Sequence, residues 1–238
     1  MFFFAFKLNR KRLWVLLVLL LGLVPGFFPK QEEPASTIEA VLPLNELVIG
    51  IDPGHGGYDP GASQGEFLEK DIVLQVGLYL RSYLQQGGAR VVMTRVDDSD
   101  LLACPAGPKK RTDLSNRLYL LEKAQVDLVI SIHANYISSP RWRGAQAFYR
   151  QGCERSQSLS RVIQEELIRV LQNTTRQAAA GNYFILNETS DPAALVEIGF
   201  LSNPDEARLL NSPDYQKKIA WSIYLGIVRH LNEGPVNL

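Results

Sequence analysis

Thiols and imidazoles are scarce in this sequence: 238 residues carry two Cys and three His. Two cysteines are too few for a disulfide scaffold or a four-thiolate zinc site. No charge of one sign dominates, since 25 basic residues balance 25 acidic ones. The balance is uneven along the chain. Lys7, Arg10, Lys11, Arg12 and Lys30 lie in the first 30 residues, which hold no acid, so residues 31–238 carry 20 basic against 25 acidic residues, about −5. A body held to nucleic acid by phosphate neutralisation needs a basic face, so no nucleic-acid partner is expected. Glycine and proline follow no period, which excludes a collagen-like chain. With 46% hydrophobic and 21% charged residues, a disordered chain is excluded as well.

Long apolar runs are also missing, with one exception. After the basic cluster Lys7 to Arg12, Leu13 to Leu23 is apolar apart from Gly22, and Val24 to Phe28 extends it. A basic flank before an apolar core is the layout of an export signal. The core of about 16 residues is shorter than the roughly 20 of a full span. No small-x-small cleavage site follows directly, so residues 1–29 read as a signal anchor, with a cleaved signal peptide as the alternative. This predicts a protein exported across the cytoplasmic membrane, either anchored to it by the N-terminal segment or secreted. Residues 30–45 read as a linker, 46–233 as one folded domain and 234–238 as a tail.

Within the domain, strands are expected at Leu47 to Asp52, Arg90 to Thr94, Asp127 to His133, Gly144 to Tyr149, Tyr183 to Leu186 and Ala194 to Ile198. Helices are expected at Glu69 to Gln86, where apolar residues recur at 72, 73, 76, 80 and 84, from Thr112 or Ser115 to Ala124, and at Ser156 to Leu171, Asp205 to Leu210 and Asp214 to Leu231. Alternating strands and helices predict an α/β fold, a twisted mainly parallel sheet with helices on both faces.

Functional groups collect where the strands of such sheets end. His55 follows the first strand, His133 ends the third and Glu197 ends a late one, while Glu69 opens the first helix. Two His and a carboxylate make an open three-ligand zinc site, with a further carboxylate available as a base. Glu66 competes with Glu69, and spacing does not separate them. Gly61-Ala62-Ser63-Gln64-Gly65 fits the serine-nucleophile pattern G-x-S-x-G. It lacks the strand-to-helix setting that chemistry needs. Cys104 and Cys153 sit in expected loops, and their pairing is left open.

The blocks IDPGHGGYDPGA, EKDIVLQV, SIHANY and ALVEIGFLSNPDEARLL resemble, in order, those of the zinc-dependent N-acetylmuramoyl-L-alanine amidases of the amidase-3 type. The likeness covers about Leu47 to His230. It implies His55, Glu69 and His133 as zinc ligands and Glu197 as the catalytic glutamate. WRGAQAFY, NTTR and the tail YQKKIAWSIYLGIVRHL are closer to the germination-specific spore-cortex branch. That branch strips stem peptides from cortex muramic acid ahead of a deacetylase that forms muramic-δ-lactam. The expected substrate is therefore a muramic acid–stem peptide amide, with a partner deacetylase pathway or an activating lipoprotein as implied partners.

Further expectations concern the surroundings of the metal. Asp52 and Asn135 are candidates to orient His55 and His133, because metal-bound His gives its other N–H to a carboxylate or carbonyl. Arg95 and Arg117 are candidates to pair with a stem-peptide carboxylate, against the simpler reading of structural ion pairs. Rival functions are an anchored peptidoglycan-binding pseudoenzyme, another zinc hydrolase such as a deacetylase, and a vegetative cell-wall amidase.

Overall fold

The computed structural model describes residues 42–102 and 108–233. The expected anchor, most of the linker, the tail and Cys104 lie outside the described residues. Among the described residues no helix is long and apolar enough to cross a membrane. In chain order the elements are β1 (Val48–Pro53), β2 (Ser63–Gln64), β3 (Phe67–Leu68), α1 (Glu69–Gln86), β4 (Arg90–Met93), α2 (Lys109–Lys123) and β5 (Leu128–Asn135). They continue with β6 (Gln146–Tyr149), α3 (Glu154–Leu171), β7 (Ala179–Ala180), α4 (Phe184–Glu188), β8 (Ala193–Phe200), α5 (Pro204–Leu210) and α6 (Pro213–Glu233).

Six strands form one mixed sheet in the order β4-β1-β5-β8-β6-β7. The four strands β4, β1, β5 and β8 are parallel, and β6 runs antiparallel to β8. Burial on both faces makes the central strands continuous apolar runs: every residue of β8 is buried. One face packs on α1, α3, α5 and α6 through Ile72, Leu80, Leu159, Ile163, Leu210, Ile219 and Ile223. The other packs on α2 and α4 through Leu118, Leu121, Ile185 and Leu186.

The structure departs from the sequence reading at four places. Helix α2 begins at Lys109, not at Thr112 or Ser115. Lys109, Lys110 and Arg111 are exposed, so its first turn carries no apolar repeat to read. Tyr183 to Leu186 is not a strand: Tyr183 caps the short helix α4. An apolar run of four residues has no period by which to tell helix from strand. The hairpin of β2 and β3, which delivers Glu69, was not expected. The packed body also reaches into the expected linker, because Leu44 is fully buried in the main core.

Candidate active site

Strands β1, β5 and β8 are neighbours, so their C-terminal ends lie side by side. His133 on β5 is the register partner of Glu197 on β8. The bulge between His133 and Asn135 ends that pairing, and bulges re-aim side chains at sheet rims. His55 lies two residues beyond β1 with φ +62°. This left-handed backbone is uncommon for a residue with a Cβ. Two buried guanidiniums hold it. Arg117 donates to the carbonyls of Pro53 (2.9 Å) and His55 (2.6 Å), and Arg95 to those of Pro53 (3.0 Å) and Gly54 (2.8 Å).

Glu69 is the first residue of α1, where the helix dipole favours an anion. Its Oε1 lies 3.1 Å from His55 Nε2 and 3.1 Å from His133 Nδ1. Oε1 also accepts the Ala134 N–H (3.0 Å), and Oε2 accepts the Ala62 N–H (2.8 Å). Burial pushes the carboxyl up, but hydrogen bonds and charge from His133 and His55 outweigh it and hold Glu69 far below the usual range. These three ligand atoms lie within 4.8 Å of one another, as a metal centre requires. Glu66 is exposed, which settles the competition between the two carboxylates.

Glu197 is buried, and its Oε2 has no hydrogen-bond partner. Burial, with the Glu69 charge, outweighs the attraction of His133 and His55 and pushes its carboxyl up to about 7. A carboxylate kept near neutrality can both take and return a proton. A cleft of about 370 Å³ opens at the two imidazoles, lined by His55, His133, Lys110, Tyr183, Phe184 and Leu195, among others. Burial and the charge of Glu197 push the Tyr183 hydroxyl up to about 12, so it stays protonated as a donor.

The expected surroundings of the ligands differ from those observed. Asp52 does not reach His55; it accepts from Arg117 (3.0 Å), Thr94 (2.7 Å) and Ser131 (2.8 Å) beneath the cleft. Asp59 takes the place assigned to it, with Oδ2 3.0 Å from His55 Nδ1 but out of line for a hydrogen bond. The sequence signal was available, because Asp59 stands at i+4 from His55 in the same glycine-rich turn. Asn135 binds through its carbonyl, which accepts the Leu201 N–H (2.8 Å); no side-chain bond to His133 is found among the described residues. Arg95 and Arg117 are 3% and 1% exposed; they hold backbone, and Arg117 pairs with Asp52 and Asp113, which agrees with the structural reading and not with a grip on a substrate carboxylate. Ser63 lies in the β2–β3 hairpin, paired with Leu68, and not in the strand-to-helix turn that a serine nucleophile needs.

Gly54 makes the arrangement possible. A Cβ there would lie 2.2 Å from His133 Cε1. The backbone cannot retreat, since the Gly54 N–H is bonded to the Ile132 carbonyl (2.9 Å). Gly54→Ala is expected to turn the His133 ring away from Glu69, at an overpacking cost of about 1–3 kcal/mol. Zinc titration should show at least about tenfold weaker binding with unchanged far-UV circular dichroism, second-neighbour losses being of that order. Unchanged affinity would mean that the ring is not a ligand.

Residues 49–229 match the model of the amidase-3 family, N-acetylmuramoyl-L-alanine amidase. The chain is 48% identical over 199 residues to the germination-specific N-acetylmuramoyl-L-alanine amidase of Bacillus subtilis, covering 81% of this chain and 83% of that protein. The structure of the CwlD amidase from Clostridioides difficile, in complex with the GerS lipoprotein, superposes with a TM-score of 0.73 at 36% identity. That match covers 79% of this chain and 99% of that one. The catalytic domain of CwlV from Bacillus (Paenibacillus) polymyxa gives 0.70 at 31% identity, over 78% of this chain and 98% of that one. Fold, ligand cluster and sequence agree over the same stretch, and the chain belongs to the N-acetylmuramoyl-L-alanine amidase family.

Proposed function

We propose that this protein is a zinc-dependent amidase that cuts the bond between N-acetylmuramic acid and L-alanine and strips stem peptides from spore-cortex peptidoglycan. The observation that carries the reading is the pairing of two environments. Glu69 is a fixed anion between two imidazoles, and Glu197 is an unpartnered carboxyl with a raised pKa beside it. The donor set of two imidazole nitrogens and one carboxylate suits zinc in an open catalytic site. Bound there, zinc acidifies water and polarises a carbonyl.

The chain's own residues supply the rest. His55, Glu69 and His133 would hold the ion. Glu197 takes a proton from the attacking water and returns it to the departing alanine amine. Tyr183, Phe184 and Leu195 wall the cleft and limit water. The spore role is supported by the 48% identity to the Bacillus subtilis germination-specific enzyme. A lipoprotein partner is supported by the complex in which the Clostridioides difficile neighbour was solved. Export and anchoring by residues 1–29 rest on the basic cluster and the apolar core of that segment.

Mass spectrometry of purified peptidoglycan treated with the zinc-loaded protein tests the reading. Free stem peptides and peptide-free muramic acid are expected, and both should disappear on chelation. Glycans that lost acetyl groups but kept their peptides would reassign the reaction to a deacetylase.

A further inference from the structure

A second cavity, of about 430 Å³, adjoins the catalytic cleft and differs from it in chemistry. It is lined by Arg150, Gln151, Ala180, Gly181, Asn182 and Asn187. Asn182 lines the catalytic cleft as well, so the two form one groove. The cleft has apolar walls in Phe184, Ile185 and Leu195, whereas every side chain of the second cavity other than Ala180 is polar.

Sheet register sets the distance between them. On β6, Gln146 pairs with Glu197 and Phe148 with Leu195. Residues two apart on a strand share a face, so Gln146 and Phe148 stand on the face that carries Glu197. Arg150 follows directly after β6 and reaches towards α4 on that same face, donating to the Thr189 carbonyl (3.0 Å) and approaching that of Asn187 (3.5 Å). Four residues at about 3.4 Å each separate the Gln146 and Arg150 levels, roughly 14 Å. An extended peptide covers that span in about four residues. The Phe148 and Tyr183 rings, 5.3 Å apart, lie between the two ends.

The cation at the far end has no counter-ion. Among the described residues, no carboxylate lies within salt-bridge distance of Arg150, whose other side-chain partner is the neighbouring Cys153 thiol. Asn187 donates to Asn182 (2.7 Å), and the amides of both residues line the same cavity as Arg150. A guanidinium fork beside amide groups is a carboxylate site.

We propose that this cavity is a subsite holding a stem-peptide carboxylate about four residues from the scissile amide, with Arg150 as its cation. The inference rests on the amidase reading above and adds a length and charge preference to it. Stems of four residues with a free C-terminal carboxylate fill both cavities, and stems cut back to a single alanine fill only the first.

The test compares wild type, Arg150→Gln and Arg150→Lys as full-length zinc-loaded proteins. The substrates are muramyl-L-alanine, a muramyl tetrapeptide and the same tetrapeptide with its C-terminal carboxylate amidated. Arg150→Gln should raise KM for the acid tetrapeptide about tenfold with kcat unchanged, and leave muramyl-L-alanine unaffected. Amidation should raise the wild-type KM equally and add nothing to the variant, as coupling between contacting groups requires. Arg150→Lys should recover part of the loss. Equal KM increases on the short and long substrates, or no increase on either, would overturn the subsite. If wild type cleaves none of the substrates, the amidase reading fails. Calorimetry with the free tetrapeptide then decides the subsite alone: about tenfold weaker binding to Arg150→Gln supports it, and equal binding removes it.

Discussion

Replacing Glu197 by Gln lowers turnover by about 10²–10⁴, the usual contribution of a positioned general base, while the protein keeps its zinc. The side chain is nearly isosteric, and the site is close-packed, so the fold has no reason to respond. Glu197 Oε2 bonds to no protein group. A buried carboxyl without a partner costs free energy, and the fold carries that cost at the position proposed to move the proton. In Glu197→Gln the amide can occupy the same space but cannot accept the proton. Zinc content measured on the same sample separates the roles. Zinc lost in step with activity would make Glu197 a holder of the ion rather than a base. Since burial and the Glu69 charge are what raise its pKa, the variant should also be slightly more stable above neutral pH, where the native carboxyl is ionised and its burial is most costly.

The largest effect on stability is expected from Arg117→Met. Arg117 is 1% exposed and sits between two carboxylates, Asp52 at 3.0 Å and Asp113 at 2.6 Å. Removing one partner of a buried pair leaves an uncompensated charge, at about 3–5 kcal/mol. Met fills similar volume, so loss of packing contributes little. Two further losses follow, because the carbonyls of Pro53 and His55 lose their donor and the left-handed turn at His55 loses its restraint. Denaturant unfolding should report the stability loss, and zinc affinity should fall with it.

Asp52 gives this prediction a pH signature. Burial pushes its carboxyl up, but the charges of Arg117 and His133 and the bonds from Thr94 and Ser131 outweigh it and hold it low. A lowered folded-state pKa stabilises the fold above the ordinary carboxylate range, and this contribution is lost as pH falls through the lowered value. Without Arg117 the carboxyl moves up towards its unfolded value, so the acid-induced loss of stability should be smaller in the variant, and its stability gap to wild type should narrow as pH falls below the ordinary carboxylate range. A variant as stable as wild type at neutral pH, with the same acid limb, would show that the pair merely breaks even with its desolvation.

The chain's local pattern determined a good deal. Apolar runs located the parallel strands, and the helix Glu69–Gln86 was bounded by its period and by Gly87-Gly88. Strand ends picked out His55, His133 and Glu197, because in a parallel sheet those ends are adjacent whatever the intervening loops do. Ordered blocks then named the family. Other features depended on positions far apart in the chain. Whether Glu66 or Glu69 meets the imidazoles was decided by a two-stranded hairpin that turns one carboxylate inward and leaves the other in water. For Arg95 and Arg117 the sequence offered a substrate contact beside the simpler structural ion pair, and only burial, which an arginine's sequence neighbours do not reveal, separated the two. Arg117 reaches Asp52 across 65 positions, and that closure is a property of the packed sheet. Asp59, Tyr183 and Arg150 gained their places in the same way. Periodicity reports which face of an element is apolar, but charge pairing and pKa depend on distances that exist only once β1, β5, β8 and the helices around them have closed on one another.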